Sequence, residues 1–377
     1  MKQKILLPAL ILCLLLTGCG WMDGSYVHIS EHEEHIDTNL DQNITVSSYT
    51  ELEDVLSQMV QSGTSEALIY LSEYAQNMAE NGMYVVSRRL TTKNPIGAYA
   101  VENVEYEIGA SSGRPAIAVS IHYRRSPMEI QQIHPVKDME KAKEVLGEAL
   151  QNVEAGLVMM IQEYEAADFI QMAADYAYKH PQTIMEIPHV TQAVYGSSEA
   201  RVVELNFTYR SSRDALKLMQ QQVGPVFEAA KLYVSTDAST LQKYSQLYSF
   251  LMERFTSYRI QPSITPAYSL LHHGVGDSRA FAIVYEAMCH SVGLSCSTIN
   301  GTRGEEPWTW NLIQLDGKYC HVDLLDSNED RTFHVLDPNG MDGYVWDYSS
   351  APDAPSTGPA EATVETAANT AESEIEP

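Results

Sequence analysis

The sequence predicts an α+β protein, and three observations carry that prediction. Setting the chain against itself at an offset of 86 aligns residues 93–126 with 179–212 without a gap. Within both copies apolar residues alternate, as a strand with one buried face requires. Elsewhere they recur at steps of three and four. Leu241, Tyr244, Leu247, Tyr248, Leu251, Met252 and Phe255 form the buried stripe of a helix.

The repeat can be followed residue by residue. Lys93-Asn94-Pro95 falls on Lys179-His180-Pro181, and Ser111-Ser112 falls on Ser197-Ser198. Ile117, Val119, Ile121 and Tyr123 fall on Val203, Leu205, Phe207 and Tyr209. An earlier strand is expected over Tyr99–Ile108 and again over Ile184–Val194. Upstream lie short apolar runs, Ala67–Leu71 and Leu157–Ile161, then helical stretches such as Ala166–Tyr178. Each unit therefore reads helix, strand, helix, strand, strand, which gives two α+β repeats over residues 43–130 and 131–220. The repeated Tyr-Arg-x-Ser is a structural device in this reading. Ser126 and Ser212 cap the helix that follows, and Pro127 takes the first helical position. A helix-rich bridge, Arg213–Val234, leads to a last domain over 236–347.

The start of the chain reads as a secretion signal. Lys2 and Lys4 precede an apolar run from Ile5 to Leu16, which ends in Leu16-Thr17-Gly18-Cys19. That ending resembles a bacterial lipobox. The resemblance implies acylation of the Cys19 sulfur by a palmitate-type chain, cleavage before Cys19, and a lipid anchor on the extracytoplasmic face of the cell membrane, where several chains hold firmly. Residues 20–42 then read as an acidic tether and 348–377 as a disordered acidic tail. His28, His32 and His35 lie in the tether at helical spacing, so they form a weak metal candidate, and a solvated linker is the simpler reading.

Charge excludes one class of partner. Fifty acidic residues against 24 basic ones give a net charge of −26, which repels nucleic-acid phosphates. The membrane enters through the lipid anchor, and a surface protein, peptide or glycan remains as partner. No cofactor is expected.

Chemistry should reside between Leu241 and Asp326. Gly274-Val275-Gly276-Asp277-Ser278 opens an apolar helix that runs to Cys289. Gly293-Leu294-Ser295-Cys296 and a strand to Gly301 follow, then Trp308-Thr309-Trp310-Asn311, then Tyr319-Cys320-His321-Val322-Asp323. This order resembles the core of the bacterial transglutaminase-like superfamily, in its secreted lipoprotein branch. The resemblance implies a papain-like core, a helix packed on an antiparallel sheet. It also implies a Cys at the helix start, a His in a His-x-Trp-Asn context and an Asp on the next strand. A thiolate there is stabilised by the helix dipole and a neighbouring imidazolium, and the Asp orients the imidazole.

The chain departs from that pattern at two of three positions. Ser278 stands for the Cys and Trp308 for the His, and Asp323 alone remains. A Ser hydroxyl needs an adjacent base, and an indole N–H can only donate. His321, two residues before Asp323, is the best substitute base. The indole N–H of Trp308 should seek an acceptor, with Asp323 nearest. Cys289, Cys296 and Cys320 read as small buried hydrophobes. The expected function is a catalytically degenerate surface lipoprotein that binds or scaffolds. The alternative is an acyl-transfer or hydrolytic enzyme that uses Ser278 with a base the sequence does not place.

Overall fold

The computed structural model describes residues 44–72, 79–258, 264–327, 332–336 and 341–347. The expectations for the leader with Cys19, for the tether with His28, His32 and His35, and for the tail lie outside the described residues.

The first repeat contains β1 (Thr45–Val46), α1 (Tyr49–Ser62), β2 (Glu66–Leu71), α2 (Ala79–Thr92), α3 (Pro95–Ala100), β3 (Val101–Ser111) and β4 (Arg114–Tyr123). A short helix, α4 (Pro127–Gln131), leads into the second. There β5 (His134–Val136), α5 (Met139–Gln151), β6 (Gly156–Ile161), α6 (Phe169–Lys179), β7 (His189–Tyr195) and β8 (Arg201–Thr208) follow. The sheets have the same plan, β1-β2-β4-β3 and β5-β6-β8-β7. Their register matches as well. Ile108 faces Ile117 and Glu107 faces Ala118 in the first sheet; Val194 faces Val203 and Ala193 faces Glu204 in the second. A pairing slip of one residue would turn every apolar side chain to the wrong face, so matched register places equivalent positions on equivalent faces.

Two boundaries differ from the sequence expectation. Tyr99 and Ala100 end a helix rather than begin a strand. Asn94 caps that helix by accepting from Gly97 N–H at 2.8 Å, and Pro95 supplies the fixed φ of its first turn. In the second copy the strand begins only at His189, because Pro188 has no N–H for a ladder and Glu186 is committed elsewhere. The capping Ser residues behave as local chemistry requires. The Ser126 hydroxyl accepts from Glu129 N–H at 3.3 Å within a reciprocal box, and Ser212 accepts from Ala215 N–H at 3.3 Å.

The C-terminal part contains α7 (Arg213–Tyr233), α8 (Thr240–Arg254), β9 (Thr256–Ser257), α9 (Pro266–His273), β10 (Val275–Gly276), α10 (Ser278–Ser291), β11 (Cys296–Arg303), β12 (Glu306–Leu315), β13 (Lys318–Val322), α11 (Leu324–Ser327) and β14 (Tyr344–Trp346). Its antiparallel sheet runs β13-β12-β11-β14. Helix α10 buries Phe281, Val284, Tyr285 and Met288 against one face, where Ile313, Cys320 and Val322 point. All three expected thiols, Cys289, Cys296 and Cys320, are free and buried. Helix α7 is no mere bridge. Its Leu216, Val223, Phe227 and Ala230 join that same apolar core, together with Val153 and Met185 of the second repeat. Among the described residues no helix is long and apolar enough to cross a membrane.

Candidate functional site

The site lies where α10 begins against β12. Gly274, with φ of 76°, ends α9 in the left-handed conformation that favours glycine, and the chain turns through β10 to Asp277. Asp277 caps α10 by accepting from Ala280 N–H at 3.0 Å. Ser278 is therefore the first helical residue, as the sequence implies, and it is 7% exposed. Its Oγ accepts from Thr309 N–H on β12 at 3.3 Å. Among the described residues no imidazole bonds that hydroxyl.

Strand alternation divides β12 between two environments. Thr309, Asn311 and Ile313 face α10; Asn311 Nδ2 donates to the Ala282 carbonyl at 3.0 Å. Trp308, Trp310 and Leu312 face the opposite side, into an aromatic cluster with Ile299, Leu336, Tyr344 and Trp346. The Trp310 ring can lie over β11 because Gly301 is there. A Cβ at that position would run into the ring and into the Val345 carbonyl.

On this second face sits Asp323, 1% exposed, just past the end of β13. Trp308 Nε1 donates to its Oδ2 at 2.7 Å, the contact the sequence anticipates. Tyr344 OH donates to the same oxygen at 2.6 Å, and Arg303 Nη1 lies 3.4 Å away. Oδ1 accepts from Leu325 N–H at 3.0 Å. The Arg303 guanidinium lies between the rings of Trp308 and Tyr344, 5.6 and 5.4 Å from their centroids, and also bonds Asp326. The carboxylate is thus held by an indole, a phenol, a guanidinium and a backbone amide. Burial raises the Tyr344 phenol far above its ordinary pKa, and its bond to Asp323 adds to the effect. Tyr344 therefore keeps its proton near neutral pH and donates it to Asp323.

His321 does not serve as the substitute base. Trp310 Nε1 donates to its Nδ1 at 3.0 Å, and the ring packs 5.0 Å from that of Trp346. Burial pushes the imidazole down to about 4. An imidazole whose one free lone pair is already taken has nothing left to accept a proton from Ser278. The structure therefore brings Ser278 and Trp308 to neighbouring positions through Thr309, joins Trp308 to Asp323, and leaves His321 to Trp310.

Arg303, Asp326 and Tyr344 were not singled out in the sequence. Tyr344 reaches Asp323 from β14, 21 residues downstream, across a pairing with β11 that no local pattern reveals. The available signal is indirect: a buried carboxylate whose neighbour is a donor-only indole calls for a cation nearby. Among the described residues no group of three or more His, Cys, Asp or Glu is placed to hold a metal ion.

Comparison with known proteins supports the same region. Residues 228–324 match the family model described as the transglutaminase-like superfamily, so the chain carries a transglutaminase-like domain. No curated protein sequence is significantly similar to the chain. Among solved structures, a candidate cysteine protease from Cytophaga hutchinsonii is similar at 12% identity and a TM-score of 0.27, over 42% of this chain and 65% of that one. A structure named as a TGase is similar at 9% identity and a TM-score of 0.24, over 57% of this chain and 62% of that one. A candidate protease from Parabacteroides distasonis is similar at 9% identity and a TM-score of 0.23, over 68% and 39%. The chain spans less than two thirds of the length of each.

Proposed function

We propose that this chain is a bacterial lipoprotein, anchored through Cys19 on the extracytoplasmic face of the membrane, whose transglutaminase-like domain no longer catalyses and acts as a binding or scaffold module. The observation that carries the reading is the occupation of Asp323 by Trp308, Tyr344 and Arg303. A carboxylate that orients a catalytic imidazole must have that imidazole beside it. Here an indole that can give but not take a proton stands there, and a fixed guanidinium supplies the positive charge. Ser278 keeps the helix N-terminus but is bonded to no base among the described residues, so its hydroxyl stays protonated near neutral pH.

The purified ectodomain should incorporate no amine into Gln peptides and should leave Ser278 unlabelled by an organophosphonate, read by intact mass. Stoichiometric capture at Ser278 would reinstate the enzyme. For the anchor, Cys19→Ala should abolish fatty-acid labelling and either release the protein from membranes or leave its precursor uncleaved. Labelling equal to that of the unaltered chain would end the anchoring claim.

A further inference from the structure

The matched register of the two repeats makes their outer sheet faces comparable position by position. In the second sheet the outer rows are Val158–Glu204–Ala193 and Met160–Val202–Tyr195. This face is covered by the first repeat: Tyr99 and Ala100 of α3 and Ile130 of α4 pack on Val158, Met160 and Val202. One polar contact sets the fit. Arg125 Nη2 reaches both oxygens of Glu204 at 2.7 and 2.8 Å, Tyr195 OH donates to Glu204 at 2.7 Å, and the guanidinium lies 4.8 Å from the centre of the Tyr99 ring.

The corresponding rows of the first sheet are Leu68–Ala118–Glu107 and Tyr70–Ala116–Gly109. Each upper row again holds one aliphatic, one alanine and one glutamate, with the last two exchanged between strands. Here most of the face is open, with Ala116 buried at 3% exposure. Leu68 is 41% exposed, and Ala118, Glu107 and Gly109 are exposed. Beside them lie Glu66 and Glu105; His122 sits 3.4 Å from Glu105. Arg114 stands over the Tyr70 ring at the far end. Among the described residues Glu107 forms no ion pair.

We propose that the outer face of the first sheet is a docking surface for a partner protein that presents an aromatic residue and an arginine from a short helix and turn, as Tyr99 and Arg125 do to the second sheet. The aromatic ring would lie on Leu68, Ala118 and Gly109, and the guanidinium would reach Glu107. Two features of the molecule select this occupant. The same rows in the same register already bind such an element within the chain, and the rim of the open face carries three carboxylates that favour a cationic contact. A second copy of this chain does not fit, since its own Tyr99 and Arg125 are engaged.

The test uses the full chain in its own cells, with a photoreactive phenylalanine analogue at position 68, at 118, or at Met128, which is 69% exposed on α4 and off this face. Adducts mapped by mass spectrometry should form from 68 and 118, not from 128, and should fall on a partner segment that carries an arginine and an aromatic residue. Glu107→Arg should lower their yield about tenfold by setting like charges across the contact, whereas Glu80→Arg on α2 should not. Raising the salt should also weaken them. Equal adducts at all three positions would overturn the proposal. So would adducts on lipid, glycan or a second copy, a partner segment without arginine, or a yield indifferent to Glu107→Arg in a variant that melts like the parent.

Discussion

The two repeats share strand order and register yet differ in polar contacts that hold their own helices and strand ends in place. Tyr123 and Tyr209 occupy the same position. Tyr123 OH bonds the Met59 and Thr64 carbonyls at 3.2 and 2.8 Å, whereas Tyr209 OH is buried without a partner among the described residues. In the first repeat Arg124 holds the end of α3 by donating to the carbonyls of Tyr99 and Ala98. In the second the carboxylate of Glu186 does the holding, accepting from Arg210 and Ser211 N–H at 2.6 and 3.1 Å. Hydrophobic connection differs too. The first repeat closes its own core around Leu56, Met83 and Ile117, while the second gives Val153 and Met185 to the core of the transglutaminase-like domain. The lesson is that repetition preserves what register needs, an alternating apolar face, and leaves each polar contact to whatever neighbour the copy meets.

The largest effect should come from truncation. A chain starting at residue 131 should retain cooperative unfolding and gain dye binding, because the outer face of the second sheet is uncovered. A chain starting at 228, where the family match begins, should lose most of α7, with Leu216, Val223 and Phe227, and the second repeat's share of the core, and fail to unfold cooperatively. Cooperative melting of the shorter chain would break the comparison.

Next is Glu186→Gln, expected to cost about 2–3 kcal/mol in urea unfolding, since the charge-assisted bonds to two amides are weakened in a buried place. Arg124→Ala, the counterpart in the first repeat, should cost about 1 kcal/mol. Glu186 also predicts a pH signature. Burial works to raise its pKa, but the amides of Arg210 and Ser211 outweigh it and hold the carboxyl below its ordinary range. A depressed folded value means stability that is present above the unfolded value near 4.3 and is lost as pH falls through the folded value. The midpoint should therefore drop below about pH 4 more steeply in the parent than in Glu186→Gln. Identical acid limbs would remove Glu186 from the account.

The smallest effect separates the tyrosines. Tyr123→Phe should destabilise by about 1 kcal/mol, whereas Tyr209→Phe should be neutral or slightly stabilising, because it removes a buried hydroxyl that has no partner. Burial raises the Tyr209 phenol to about 12, so it contributes no charge near neutral pH in either case. Equal losses from the two changes would mean that the contacts of the copies differ less than the structure indicates.

Within the site, the sequence specified a good deal. Ser278 at a helix start and the Trp308–Asp323 contact are what the family resemblance and the donor-only chemistry of an indole lead one to expect, and the structure has both. The strand pattern at Tyr99 and Ile184 misleads because Asn94 capping and the missing amide of Pro188 are decided by one residue each, within an otherwise strand-like pattern. No local pattern points to Arg303 or Tyr344, and they are what holds Asp323 in place beside Trp308.

The sequence by itself determined the α+β class, the repeat and its register, the helix that Ser278 opens, and a donor-only indole at position 308. These depend on local propensity, on periods of 2 and 3.6, and on which atoms can donate or accept, all properties of residues close together in the chain. Only the tertiary structure decided that His321 belongs to Trp310, that α7 and the second repeat complete the C-terminal core, and that one outer sheet face is covered while its twin is open. Those outcomes depend on which surfaces meet after folding. A buried donor, cation or apolar face takes the nearest compatible partner in space, however far away it lies in sequence.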